Sequence, residues 1–177
     1  MALKSLSGKI ALVTGAGQNI GRGIALSLSA SGAIIAVNGR DNEGLVSDTV
    51  AEIKKNGGNA VGYMADISDP ISVKTLIDKT KNDLGGLDIL ICNAGLRRQT
   101  KFLDMSFSEW REILSVALDG AFLLTKAAVP LLMDRGGGSI VALSGISHHI
   151  GAVNRCHVSA SKAGLEGLMR SLAIELA

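Results

Sequence analysis

Three stretches of this chain carry residue types that can do chemistry. The first, Gly15-Ala16-Gly17-Gln18-Asn19-Ile20-Gly21, is glycine-rich and lies between an apolar run, Ile10-Ala11-Leu12-Val13, and a helical pattern from Ile20 to Ala30. Glycines there let the backbone turn sharply and let a pyrophosphate approach the N–H groups at the helix start. A glycine-rich turn alone is a weak signal; between a strand and a helix it points to a dinucleotide. The second, Asn38-Gly39-Arg40-Asp41, closes the next apolar run. An acid at the end of that strand would bond ribose hydroxyls, and Gly39 stands in its place. Arg40 offers a charge-assisted, bidentate bond to a 2′-phosphate, although Asp41 beside it blunts the charge. This favours NADP(H), with NAD(H) as the alternative. The third stretch, Ser147 to Lys162, holds His148, His149, Asn154, Arg155, Cys156 and His157. Histidine titrates near neutral pH and can serve as a general acid. These His and Cys residues have no standard ligand spacing, so no metal is expected.

The elements that position these residues alternate along the chain. Strands are predicted at Ile10–Val13, Ala33–Val37, Ala60–Tyr63, Leu87–Cys92 and Ile140–Leu143. Helices are predicted at Ile20–Ala30, at Glu43–Asn56 closed by Gly57-Gly58, and after Asp69-Pro70, with Pro at the first helical position. A long helix is predicted from Ser108 to Met133, bent near Pro130. A last helix runs from Cys156 to the end. The strands are continuous aliphatic runs rather than alternating ones, which means burial on both faces and a parallel sheet with helices on each side. The expected fold is α/β, a Rossmann-like doubly wound parallel sheet, in a single domain spanning residues 1–177. It stops after the fifth strand and its following helix, so truncation is expected, with that strand an exposed edge.

Composition narrows the function classes. Of 177 residues, 47% are hydrophobic, which argues against disorder. The 22 glycines with few aromatics suit tight turns in an α/β sheet better than an all-β sandwich. A net charge of +2 with no basic stripe argues against nucleic acid. Cys92 and Cys156 form no CxxC pair, which fits a reducing, cytoplasmic setting. The N-terminus lacks a long apolar segment, so no signal peptide is expected. No uninterrupted apolar run approaches the roughly 18 residues of a membrane span, and no membrane partner is expected.

The motifs resemble those of the short-chain dehydrogenase/reductase family. That family carries TGxxxGxG after its first strand, and Thr14-Gly15 and Gly21 fall in register here. The middle glycine of the pattern is Asn19, the non-glycine residue that best tolerates left-handed backbone. Asp66, followed by Ile67, matches the family aspartate that bonds the adenine ring. Asn93-Ala94-Gly95 matches the family NAG motif, which supports the sheet and lines the cofactor site. The resemblance thus implies a nicotinamide dinucleotide held by Gly15, Gln18, Asn19, Ile20, Gly21, Asn38, Arg40, Asp66, Ile67, Asn93, Ala94, Gly95 and Lys162. It also implies carbonyl/alcohol oxidoreduction, with 3-oxoacyl carrier-protein reductases and sugar or steroid dehydrogenases as relatives. The small-molecule substrate cannot be read from the sequence. Arg97 and Arg98, near the expected substrate mouth, could hold an anion or form a solvated loop.

The same resemblance exposes a conflict. The family uses a Tyr and a Lys four residues later, a Ser at the fifth strand's exit, and an Asn on the long helix. Lys162 is present as the catalytic lysine, but Val158 stands in the tyrosine slot, Gly145 in the serine slot and Ala117 in the asparagine slot. Ser144 is adjacent to Gly145, but a one-residue shift at a strand end changes its direction. Losing one general acid alone typically removes about 10²–10⁴ in rate. Two readings follow. In one, an oxidoreductase uses another proton donor, with His157 or His149 as candidates, or acts on a substrate that needs none. In the other, the chain is a catalytically silent nucleotide-binding or interaction module. Relatives pair through the long helix and the last helix. Apolar residues Ala121, Leu124, Ala128 and Leu131, and Leu165, Leu168, Met169 and Leu172, raise a homodimer or homotetramer as an expectation, with core packing as the competing explanation.

Overall fold

The computed structural model describes residues 5–177. The reading of Met1 to Lys4 as lacking a leader lies outside them. Among the described residues, five strands form one parallel sheet in the order β3-β2-β1-β4-β5. They are β1 (Ile10–Val13), β2 (Ile34–Gly39), β3 (Asn59–Met64), β4 (Ile89–Cys92) and β5 (Ser139–Ala142). Successive strand side chains alternate faces, so continuous aliphatic runs feed two cores at once. Ile10, Leu12, Leu90 and Cys92 join Val73, Leu76, Leu124 and Ala128 on one face, and Ala11, Val13, Ile35, Val37 and Ile91 join Ala25, Val46 and Ile53 on the other. The first set meets helices α3 (Pro70–Leu84) and α5 (Gly120–Asp134); the second meets α1 (Asn19–Ala30) and α2 (Glu43–Lys55).

Local chemistry sets the boundaries. Asn42 caps α2 by accepting from the Leu45 N–H, and Asp69 caps α3 by accepting from Ile71 and Ser72, with Pro70 at the first position. Gly85 ends α3 in left-handed conformation at φ 92°. The fourth strand starts at Ile89 rather than Leu87, just after Asp88, whose backbone already bonds to Ile10 and Ser139 on the neighbouring strands. Its buried carboxylate accepts from the Ile10 N–H at 2.9 Å and pairs with Lys9 and Arg135, each at 3.1 Å.

The long helical stretch is not one uninterrupted α-helix. It divides into α4 (Phe107–Leu114), a π-helical turn at Ser115–Asp119, and α5, with Pro130 inside α5. The π turn is thus a second irregularity besides Pro130, whose nitrogen carries no proton for the helix ladder. Taken as one helix, Phe107–Asp134 is long and apolar enough by composition to cross a membrane, although 44% of the relevant stretch is buried within the molecule. That length of apolar helix was not evident from uninterrupted runs. The proposed oligomer face is corrected in part. Ala121, Leu124, Ala128 and Leu131 are buried in the sheet-facing core and are not available for docking. After β5 come α6 (Ser147–Ile150) and α7 (Cys156–Glu175). Leu165 of α7 is also core, whereas Leu168, Met169 and Leu172 stay partly exposed.

Candidate functional site

In a sheet of this order the chain reverses direction at β1, so the crevice between β1 and β4 opens at their carboxyl ends. A cavity of about 690 Å³ lies there, lined by residues that leave all five strands. At its phosphate end, Gly15 has φ 61° and Asn19 φ 51°, so Asn19 adopts the left-handed backbone expected of it. Helices α2, α3 and α4 are each capped by a side chain, from Asn42, Asp69 and Ser106. Helix α1 has no side-chain cap and no acid in its first turn. Its first N–H groups are left for an anion, as at other dinucleotide sites.

The turn is locked from behind. Asn93 donates from Nδ2 to the carbonyls of Thr14 (2.8 Å) and Gly15 (3.2 Å). The Thr14 hydroxyl accepts from the N–H groups of Asn93 (3.0 Å) and Ala94 (3.1 Å) and donates to the Ile91 carbonyl. Gly21 faces this knot directly. A Cβ there would strike the Gly15 carbonyl and the Asn93 amide. Gly21→Ala is expected to weaken dinucleotide binding about tenfold or more, roughly 1.4 kcal/mol, by forcing the turn open, as read by calorimetric titration. Gln18, half-exposed Ile20 and Gly95 complete this end of the lining.

Farther along, Asp66 accepts at Oδ1 from the N–H and hydroxyl of Ser68. Burial pushes its carboxyl up, but these bonds and the charge of Arg40 outweigh that and hold it below its ordinary value. Ile67 lines the wall beside it. Asn38 is fully buried, and its amide nitrogen donates to the carbonyls of Gly39, Tyr63 and Ala65, joining β2 to β3. Its side-chain nitrogen is thus engaged within the protein, while the residue remains part of the cavity wall. Arg40 lines the cavity with Nε 2.7 Å from Asp41 Oδ2, so the neighbouring acid does take part of its charge. A Cβ at Gly39 would come within 2.5 Å of Val46 Cγ2, which leaves no room for an acid there without repacking.

At the other end Val158, Lys162, Ser144 and Gly145 line the same cavity. Lys162 donates from Nζ to the Leu143 carbonyl. Burial, then the charge of Arg97, lowers its pKa from the ordinary lysine value. Ala117 is buried in the π turn; a Cβ built on Gly95 would lie 3.9 Å from Lys162 Nζ and 4.0 Å from Ala117 Cβ. Of the four positions singled out in the sequence, Val158, Gly145 and Lys162 share the cavity lining, and Ala117 lies beside Gly95 next to it. A π turn in a long helix is frequently found at a functional site, and no sequence signal marked this one.

Residues 9–177 match the short chain dehydrogenase family. The chain belongs to the short-chain dehydrogenase/reductase family. It is 34% identical to a 3-oxoacyl-[acyl-carrier-protein] reductase of Synechocystis sp. over 175 residues, covering 99% of this chain and 71% of the relative. It is 37% identical to an L-rhamnose 1-dehydrogenase (NAD(P)(+)) of Sphingomonas sp., covering 98% and 69%. A crystal structure described as that of a short-chain alcohol dehydrogenase from Sinorhizobium meliloti 1021 superposes with a TM-score of 0.93 at 39% identity, covering 98% of this chain and 68% of that one. Membership in the short-chain dehydrogenase/reductase family implies an NAD(P) cofactor. The uncapped start of α1 and the glycine-only contact at Gly21 fit one.

For a short-chain dehydrogenase/reductase, the histidines fall in unexpected places, and the substitute proton donors considered from sequence are corrected here. Among the described residues, no histidine lines the cavity. His157 is fully buried, with Nε2 3.3 Å from Glu109 Oε1. His149 lies with His148 beside Glu166, outside that lining. Ser144 also borders Glu166, whose carboxyl its hydroxyl helps to hold below the ordinary value. Arg97 lines the cavity as expected, whereas Arg98 forms a two-bond pair with Glu112 away from it.

Proposed function

We propose that this chain binds NADP(H) as a carbonyl/alcohol oxidoreductase of 3-oxoacyl reductase type whose proton transfer is impaired. The single observation that carries the reading is the cavity itself: phosphate turn, Arg40, Asp66 and Lys162 line one continuous wall. A nicotinamide dinucleotide supplies or accepts a hydride at its ring. The chain's part is to hold it. The α1 N–H groups take the pyrophosphate, Asp66 the adenine, Arg40 the 2′-phosphate and Lys162 the nicotinamide ribose. Arg97 and Arg155 add positive charge to the lining and favour a polar or anionic substrate group. Val158, Gly145 and Ala117 provide no side-chain proton donor, so Lys162 is the one catalytic group of the expected set. This weakness, together with the withdrawal of the histidines, supports a second reading as a nucleotide-binding or interaction module without turnover.

Calorimetric titration with NADPH and with NADH tests the cofactor reading. NADPH is expected to bind about tenfold more tightly, the worth of one partly exposed charge-assisted bond. Arg40→Ala should remove that preference while leaving NADH binding unchanged. Equal affinities in the parent chain would reject the role given to Arg40, and no binding of either would reject the site.

A further inference from the structure

A second cluster of chemical groups lies outside the dinucleotide cavity. His148 and His149 of α6 and Glu166 of α7 each offer one ligand atom, and these atoms all lie within 4.8 Å of one another. Consecutive residues on a helix diverge by about 100°. Here the two imidazoles nevertheless lie side by side, with ring centroids 3.8 Å apart. Glu166 Oε1 sits 2.9 Å from His148 Nε2 and 3.7 Å from His149 Nε2. The other carboxylate oxygen faces Arg170 at 3.5 Å, which leaves Oε1 to the histidines.

His148 is the decisive residue. Its side chain is only 6% exposed, yet neither ring nitrogen has a partner in hydrogen-bonding geometry. Buried polar groups are nearly always satisfied; His157 is orphaned beside Glu109 in the same way, but only at His148 does a second imidazole share the carboxylate. Two ligands each about 2.0–2.1 Å from a common zinc ion stand roughly 3.3 Å apart in tetrahedral geometry, and the 2.9 and 3.7 Å separations bracket that value.

We infer that His148, His149 and Glu166 form a binding site for a first-row transition dication such as Zn²⁺, with a fourth position open to water. Two imidazoles and one carboxylate suit zinc, cobalt, nickel or copper; magnesium and calcium prefer oxygen ligands. Arg170 and Ser144 border the carboxylate and orient it, as outer groups do at metal sites. The bound ion pins α6 to α7 and so fixes the Ser144–Gly145 turn that borders the dinucleotide cavity. None of this depends on which cofactor that cavity takes.

The test is a calorimetric titration of Zn²⁺ into the untagged chain after chelator treatment, in a non-coordinating buffer. The expected result is a single equivalent bound with a dissociation constant below about 100 µM. Glu166→Gln and His149→Ala should each weaken it about tenfold or more. Parent-like circular dichroism of both variants checks that the fold is intact. Co²⁺ should give a visible absorption band without a thiolate charge-transfer band. Weaker binding, affinity unchanged by both substitutions, or loss of binding in Cys156→Ser would each overturn the site.

Discussion

The triple variant Val158→Tyr, Gly145→Ser, Ala117→Asn turns over a ketone or 3-oxoacyl thioester with NADPH about 10²–10⁴ times faster than the parent chain. The physical basis is the environment already present at Lys162. A phenol normally holds its proton to about pH 10, and an ammonium group one helical turn away favours the phenolate and eases proton passage. Val158 lines the cavity within that turn, so a tyrosine there projects toward the reacting end. A Cβ at Gly145 meets nothing within 4 Å, which leaves space for a serine hydroxyl to hold the carbonyl oxygen. Ala117 is tightly buried and asparagine is larger, so Val158→Tyr with Gly145→Ser alone serves as the control for packing damage. Gains in such a constellation are not additive, and the pair should recover most of the effect. Loss of NADPH absorbance at saturating cofactor reads the rate, and calorimetry confirms that cofactor affinity is unchanged. A parent chain already as fast as the variant would show that the proton comes from another source. A variant no faster, with cofactor binding intact, would favour the silent-module reading.

Asp88→Ala destabilises the fold by about 3 kcal/mol, a fall in melting temperature of roughly 6–12 °C for a chain of this size. Asp88 joins three strands at their starts. Its side chain, 2% exposed, accepts from the Ile10 N–H and pairs with Lys9 and Arg135. Its own N–H donates to the Ile10 carbonyl, and its carbonyl accepts from the Ser139 N–H, each at 2.9 Å. Alanine leaves the buried Ile10 N–H unpaired, which accounts for most of the loss; the two ion pairs are half-exposed on the basic side and count for less. Burial pushes the Asp88 carboxyl up, but the Ile10, Arg135 and Lys9 bonds outweigh it and hold the pKa below the ordinary value. A depressed folded-state pKa gives stability that is full above the unfolded value, about 3.9, and is lost as pH falls through the folded value. The stability gap between the parent and Asp88→Asn, measured by urea unfolding, should therefore be constant near neutral pH and narrow below about pH 4. A gap that widens in acid would contradict the assigned protonation.

Much of the site was legible because its signals are local. Thr14-Gly15 to Gly21 specifies a turn through backbone conformations that few residues adopt, and Asn19 took the left-handed one at φ 51°. Asp69-Pro70 and Asn42 fixed helix starts by capping within three residues. The family resemblance singled out Val158, Gly145 and Lys162, which line one cavity. The histidines' partners were not legible because composition shows which groups titrate, not which way a loop folds: His157 turned into the core toward Glu109, and His148 and His149 turned toward Glu166.

By itself the sequence determined the alternation of strands and helices, the parallel sheet and the glycine-rich turn after β1, since each rests on hydrophobic period, turn chemistry or residue identity within a short window. The tertiary structure alone decided that Asp88 ties β1, β4 and the end of α5 together, that Asn38 joins β2 to β3, that the apolar stripe of α5 is core, and that a π turn places Ala117 beside Gly95. It alone brought two histidines and a glutamate from different helices to one point. Those outcomes depend on contacts between residues far apart in the chain, and no spacing along it records which distant partner will lie alongside once two helical layers close on a twisted sheet.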